Sequence, residues 1–312
     1  MMGYSDYRTG EVANPRKNGL RYLYDYTEEQ AVDMLTSDEW TKALFARDPK
    51  ERILSAFLEE GLTDGGVYVG DRCCPDERNC QQVASSSFSG FLLVANICQN
   101  AAWIPQSYRM EARIWPFLSF IGTVENGYED SKTLLEKVGA WTDYGEKGWG
   151  MYGNDPIFPD GYVTNAWREF TNYYTPDIKA TVEEMFAEDY ENKYLPYTKG
   201  VDDFMETAVE DVFDGDESKE NDSNNYGVEN IRECGAKEEP IPERRPYSVK
   251  MYDSHYVYKA GRWDGPPVIL ADYKIMFFTV PEIGSTTFKK LFRRMAGFED
   301  WCVCRIGGMK AV

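Results

Sequence analysis

The chain has 312 residues, of which 42% are hydrophobic and 15% aromatic, and its 34 basic against 53 acidic residues give a formal net charge of −19. This length is sufficient to bury a sizeable core in one large domain or two small ones. The acidity argues against non-specific nucleic-acid binding, which requires a basic face, so we expect no nucleic-acid partner.

The hydropathy pattern gives no sign of a membrane anchor. No run approaches the roughly 18 consecutive apolar residues that a spanning helix needs. The first ten residues are too polar and too rich in tyrosine to resemble a signal peptide. We therefore expect no membrane span in this chain.

Four of the seven cysteines, Cys73, Cys74, Cys80 and Cys98, lie close together in sequence. They could form two disulfides in an oxidising lumen, remain free thiols, or bind zinc, although no histidine lies near them. His255 is the only histidine of the chain, and we expect it to be exposed or structural. A His-rich metal site and a Ser-His-Asp triad are thus nearly excluded, and we expect no metal.

Alternating helix and strand signals predict an α/β fold. In chain order they are a helix opened by a Thr27–Gln30 capping box, a strand at 41–46, helices at 49–60 and 87–99, a strand at 117–121, helices at 128–138 and 176–190, and strands at 267–271 and 273–280. The last strand is almost continuously apolar, which is typical of a central strand in a covered sheet.

Residues 201–225 have a different composition, rich in Asp, Glu, Asn and Ser, and prolines follow at 240, 242 and 246. This pattern predicts a solvated, flexible linker.

The last predicted strand is followed by a turn of small residues and then by a helix. A helix N-terminus presents unpaired N–H groups and a positive dipole to an anion. The candidate phosphate ligands are Gly284, Ser285, Thr286, Thr287 and Lys289. The segment lacks the Gly-Lys-Ser/Thr of a Walker A loop, and its alternative interpretation is an ordinary capped helix after a strand.

A second candidate segment reads Arg-Asp-Pro-x-x-Arg-x-x-Ser at 47–55. Arg47 follows the strand at 41–46 and could bind phosphate in a bidentate manner. Pro49 presets the start of a helix, and Ser55 lies two turns along it. The alternative is a surface helix with salt bridges.

Together these two segments resemble the halves of the nucleotide site in carbohydrate sulfotransferases of the Golgi and algal type. That family uses 3′-phosphoadenosine-5′-phosphosulfate (PAPS). The resemblance implies that 281–287 holds the 5′-phosphosulfate and that Arg47 and Ser55 hold the 3′-phosphate. Further stretches also resemble the family, and these are 18–23, 103–109, 120–126, 173–176 and 263–269.

The resemblance implies a P-loop-like sulfotransferase fold, with a central, mainly parallel sheet flanked by helices. In the family the phosphosulfate loop precedes the 3′-phosphate segment, whereas here it comes last. A circular permutation, a fragment of two tandem domains and a mis-joined gene model would each explain this order. With permutation, 14–198 and 262–312 form one domain, joined by the acidic linker at 199–261.

Three positions depart from the family pattern. Glu282 occupies the place of a lysine that contacts the leaving nucleotide, and Ala102 and Tyr162 replace family histidines. Losing an electrostatic donor at the transferring group typically costs ~10²–10³ in rate.

The function implied by the resemblance is transfer of a sulfuryl group from PAPS to a hydroxyl, of a carbohydrate or another acceptor, in the Golgi lumen or secretory pathway. Glu125 is the candidate catalytic base, and its alternative role is that of a helix-capping or salt-bridged surface carboxylate. The alternative function is that of a catalytically impaired, sulfotransferase-like protein that binds a nucleotide or a glycan.

Overall fold

The computed structural model describes residue 15 and residues 17–74, 78–98, 100–150, 153–158, 166–200, 266–281 and 283–298. The predictions made for most of the linker at 199–261, for His255, for Tyr162 and for Glu282 lie outside these residues.

A five-stranded sheet forms the centre of the described structure, with the strand order β1-β4-β5-β2-β3. β2 pairs in parallel with both β5 and β3, whereas β4 is antiparallel to β5 and to β1. The strands are β1 (Arg21–Tyr22), β2 (Thr41–Ala46), β3 (Phe120–Thr123), β4 (Val268–Leu270) and β5 (Ile275–Phe278).

The sheet is mixed, yet four of its five strands run in the same direction, in agreement with the predicted mainly parallel sheet, and β4 runs in the opposite direction. The cause is the connection between β4 and β5, a single turn at Ala271–Tyr273 that ends at Lys274 with φ 49°. So short a connection can join only antiparallel neighbours, because a parallel crossover needs a dozen or more residues. The three strands next to the candidate site, β5, β2 and β3, remain parallel.

Helices flank the sheet and build a second layer beside it. In chain order they are α1 (Glu28–Thr36), α2 (Pro49–Ala56), α3 (Val67–Cys73), α4 (Arg78–Ser86), α5 (Phe88–Ile97), α6 (Gly127–Lys137), α7 (Ala166–Tyr173), α8 (Pro176–Met185), α9 (Ala187–Glu191) and α10 (Ser285–Met295). Within the ranges given above, no helix is long and apolar enough to cross a bilayer.

Two apolar clusters fill the interior. The first surrounds the sheet, where Phe45, Phe277 and Phe288 pack ring against ring. The second lies among α2 to α5 and α7 to α9, around Phe57 and Phe91. α2 contributes Ile53, Leu54 and Ala56 to the second cluster and carries the candidate Ser55.

The local predictions are most accurate where a side chain caps a helix, and where a whole strand is buried. Thr27 and Gln30 form the predicted capping box, and β2 has the predicted bounds. The predicted strand at 117–121 shifts to Phe120–Thr123, because Trp115–Phe117 forms a helical turn around Pro116. The predicted helix at 176–190 divides at Phe186, whose backbone leaves the helical conformation.

The four clustered cysteines form two disulfides, Cys73–Cys98 and Cys74–Cys80. The first joins the end of α3 to the residue that follows α5, and the second joins the residue after α3 to α4. The disulfide interpretation is thus confirmed over free thiols and zinc. Both bonds lie beside the second apolar cluster.

Candidate functional site

The parallel strands bring the two candidate segments to the same edge of the sheet. Leu44 of β2 pairs with Phe278 of β5, so Arg47 and Pro281 each lie three residues beyond a paired position. Thr123 of β3 pairs with Ala46, which places the residues after β3 at that edge as well. The carboxyl ends of parallel strands are where open α/β sheets bind their ligands.

The segment after β2 turns into α2 through a well-capped start. The Asp48 carboxylate accepts hydrogen bonds from the N–H groups of Lys50 and Glu51, at 2.8 and 3.2 Å. Pro49 supplies the first helical residue, which needs no N–H partner. Burial of the carboxylate raises the pKa of Asp48 to about 6, against the opposing effects of Lys50 and the two N–H groups.

Arg47 lies just before α2 and Ser55 lies near its end, and both are buried, with 0% and 2% exposure. The guanidinium of Arg47 donates from Nη2 to Oε1 of Glu51 in the first turn of that helix, at 2.9 Å. The side chain thus lies against the start of α2. The 3′-phosphate role of both residues stays a prediction.

The segment after β5 opens α10 without a side-chain cap. Gly284 precedes the helix with φ 74°, a conformation that favours glycine, and no side chain caps the first turn. Ser285, Thr286 and Thr287 are partly exposed. The first N–H groups of a helix lack intrahelical acceptors, so this terminus can receive an anion. Lys289, which was expected to add charge, is buried with 1% exposure.

Glu125 lies at the same edge, where its Oε1 accepts the N–H of Asp48 at 2.7 Å. The hydroxyl of Tyr197 donates to Oε2 at 3.3 Å. Glu125 as a whole residue is exposed. Desolvation of its carboxyl group by the surrounding protein, followed by the charges of Glu51 and Asp48, raises the pKa of Glu125 to about 8. A carboxyl group of this kind can exchange a proton near neutral pH.

The structure adds a buried arginine that the sequence analysis assigned no role. Arg52 donates from Nε to the Pro281 carbonyl at 3.2 Å, from Nη1 to the Ile104 carbonyl at 2.6 Å and from Nη2 to the Ala101 carbonyl at 2.7 Å. It therefore connects α2 with the segment after β5 and with a third segment at 101–109. Arg52 is the second arginine of the Arg-Asp-Pro-x-x-Arg-x-x-Ser pattern, which is the signal that could have found it.

Residues 101–109 contribute three further contacts that sequence reasoning missed. The side-chain amide of Gln106 accepts the N–H of Arg47 and donates to the carbonyl of Arg47. The guanidinium of Arg109 donates two hydrogen bonds to the carbonyl of Thr279, at 3.2 and 3.4 Å. The buried Asp189 carboxylate in α9 accepts the N–H groups of Gln106 and Ser107. Burial raises the pKa of Asp189, and these hydrogen bonds act against that rise.

No cluster of three or more His, Cys, Asp or Glu side chains suited to a metal ion occurs in the part of the chain that the structure describes.

This mixed α/β domain presents a helix N-terminus and an Arg-Asp-Pro helix start at one sheet edge. The family model for the sulfotransferase family matches residues 6–194, which is more than half of the chain. The chain belongs to the sulfotransferase family. It matches no curated protein and no solved structure. The matched region contains β2, α2 and β3 and ends before β4 and β5.

Proposed function

We propose that this protein transfers a sulfuryl group from PAPS to a hydroxyl of an acceptor, and that the acceptor is a carbohydrate. The observation that carries the proposal is the parallel register of β2 and β5 in a sulfotransferase-family chain. It puts two segments with candidate anion-binding residues beside each other at one edge of the sheet.

Each segment receives one end of the nucleotide in this proposal. The N–H groups and hydroxyls of Ser285, Thr286 and Thr287 hold the 5′-phosphosulfate, because the first turn of α10 has no side-chain cap. Arg47 and Ser55 hold the 3′-phosphate, which competes with Glu51 for the Arg47 guanidinium. When bound, PAPS supplies the activated sulfuryl group.

Glu125 is the proposed base for the acceptor hydroxyl. Its carboxylate takes the hydroxyl proton as the acceptor oxygen forms a bond to sulfur and the bond from sulfur to the phosphate oxygen breaks. Adenosine 3′,5′-bisphosphate leaves with that electron pair, and the donors at the start of α10 stabilise its charge. The raised pKa of Glu125, to about 8, suits a base that works near neutral pH.

A second candidate function is binding of a nucleotide or a glycan without turnover. Ala102 favours it, because this position packs into the core with 5% exposure and offers no side-chain proton donor where the family has histidine. Glu282, in place of the family lysine, also favours this second candidate.

The two disulfides support maturation in an oxidising compartment, and we propose the secretory pathway and the Golgi lumen. The pairing of β5 with β2 supports a permuted single domain, in which 262–312 completes the domain of 14–198.

Calorimetric titration with adenosine 3′,5′-bisphosphate, followed by transfer of radiolabelled sulfate from PAPS to a hydroxyl-rich glycan, tests the proposal. Binding with transfer supports the enzyme, and binding without transfer to any glycan supports the second candidate. If the bisphosphate does not bind, the enzyme and the nucleotide-binding form of the second candidate are both wrong.

A further inference from the structure

We propose that residues 101–109 form a brace that fixes the separation between the two anion-binding segments and so makes the site selective for a nucleotide with two anionic groups over one with a single group. This inference rests on the proposed nucleotide site, and it assigns specificity to Gln106 and Arg109, which act through the backbone of the two segments.

Gln106 holds the 3′-phosphate side of the site. Its Oε1 accepts the N–H of Arg47 at 2.9 Å, and its Nε2 donates to the carbonyl of Arg47 at 2.7 Å. The side-chain amide thus continues the hydrogen bonding of β2 for one more residue, as a neighbouring strand would. Gln106 is fully buried, so water does not compete for these bonds and the backbone of Arg47 is fixed in position.

Arg109 holds the phosphosulfate side. Its guanidinium donates to the carbonyl of Thr279, the first residue after β5. Arg52 adds a second tie, since one guanidinium reaches Pro281 of that segment and the carbonyls of Ile104 and Ala101 in the brace. Charged donors on buried carbonyls are among the stronger hydrogen bonds in proteins.

The brace is itself anchored. Asp189 in α9 accepts from the N–H groups of Gln106 and Ser107, at 2.9 and 2.7 Å, and from the hydroxyl of Ser107 at 2.7 Å. Because both ends of the site are tied to one anchored segment, their separation is set by the brace as well as by the sheet. A ligand that contacts both ends depends on that separation, whereas a ligand that contacts one end does not.

Arg109→Met tests the brace, with calorimetric titration of adenosine 3′,5′-bisphosphate, adenosine 5′-monophosphate and adenosine 3′-monophosphate. We expect the bisphosphate affinity to fall at least about tenfold, and each monophosphate affinity to change less than roughly threefold. Arg109→Lys keeps one charged donor for Thr279 and should recover part of the loss. Arg113→Met is the matched control, because Arg113 is exposed and forms an ion pair with the nearby Glu111.

An equal loss for all three nucleotides would overturn the brace, as would no loss at all. Hydrogen exchange of the amides at 278–287 gives a readout that needs no ligand, and we expect faster exchange there in Arg109→Met than in Arg113→Met. If the wild-type protein binds none of the nucleotides, the proposed function fails by itself. The brace is then judged by exchange, and unchanged exchange in Arg109→Met overturns it.

Discussion

Arg52 and Pro281 are 229 positions apart in sequence, yet Nε of Arg52 donates to the Pro281 carbonyl at 3.2 Å. This hydrogen bond joins the two segments that resemble the halves of a nucleotide site. It also connects part of the chain that the family model matches with part that it does not. Because Arg52 makes this hydrogen bond, a substitution of Arg52 tests whether the two segments are joined in the folded protein.

Replacing Arg52 by methionine should destabilise the protein by about 3 kcal/mol or more. The substitution leaves the carbonyls of Pro281, Ile104 and Ala101 without their charged donor in a buried place, and each unsatisfied buried group costs about 1–3 kcal/mol. Urea-induced unfolding measures the change. Arg113→Met, at an exposed position, should stay within about 0.5 kcal/mol of the wild type. Similar losses in the two variants would contradict the buried role of Arg52.

Glu125→Gln should change how stability depends on pH. The folded-state pKa of Glu125 is raised from 4.5 to about 8, so between these values the folded protein binds a proton that the unfolded chain has lost. Wild-type stability therefore falls as pH rises through this window, and the variant lacks that contribution. The variant should gain stability relative to the wild type between about pH 5 and about pH 8.

Thermal unfolding across that range checks the prediction, with Glu136→Gln as the control, since Glu136 is an exposed carboxylate in α6. Parallel curves for wild type and Glu125→Gln would show that the carboxyl titrates in its ordinary range. The same change in the pH dependence of stability in Glu136→Gln would show that it comes from the altered net charge and not from the pKa of Glu125.

Several features were predictable because their causes are local. The strand at β2 follows from a short run of strand-forming residues, and the start of α2 follows from Asp48 and Pro49. The burial of Arg47 and Lys289 was not predictable, because charged side chains are mostly exposed and their sequence neighbours do not show what will cover them. The sequence pattern marks Arg52, but its contacts were not predictable, because its acceptors lie 49 to 229 positions away.

The disulfide Cys73–Cys98 should contribute about 3 kcal/mol, because it closes a loop of 25 positions in the unfolded chain. Cys74–Cys80 closes only 6 positions, so its removal should cost less, about 2 kcal/mol. Paired serine substitutions at each bond, compared by urea-induced unfolding, measure the two contributions. Peptide mapping without reduction should recover both linked peptides. Free thiols at all four positions in secreted protein would contradict the pairing.

Glu282→Lys should bind adenosine 3′,5′-bisphosphate at least about tenfold more tightly, a gain of about 1.4 kcal/mol. An ionised carboxylate within about 4 Å of the anion would cost on the order of 1–4 kcal/mol, and lysine would restore the attraction. Calorimetry of the two proteins gives the difference, with Glu282→Gln separating loss of repulsion from gain of attraction. Unchanged affinity would mean that Glu282 does not face the nucleotide.

A crystal structure of the protein with adenosine 3′,5′-bisphosphate bound would locate both phosphates directly. We expect the 5′-phosphate at the first turn of α10, in contact with Ser285 to Thr287, and the 3′-phosphate against Arg47 and Ser55. A nucleotide bound elsewhere, or one whose phosphates contact neither segment, would contradict the assignment of this sheet edge as the sulfuryl-transfer site.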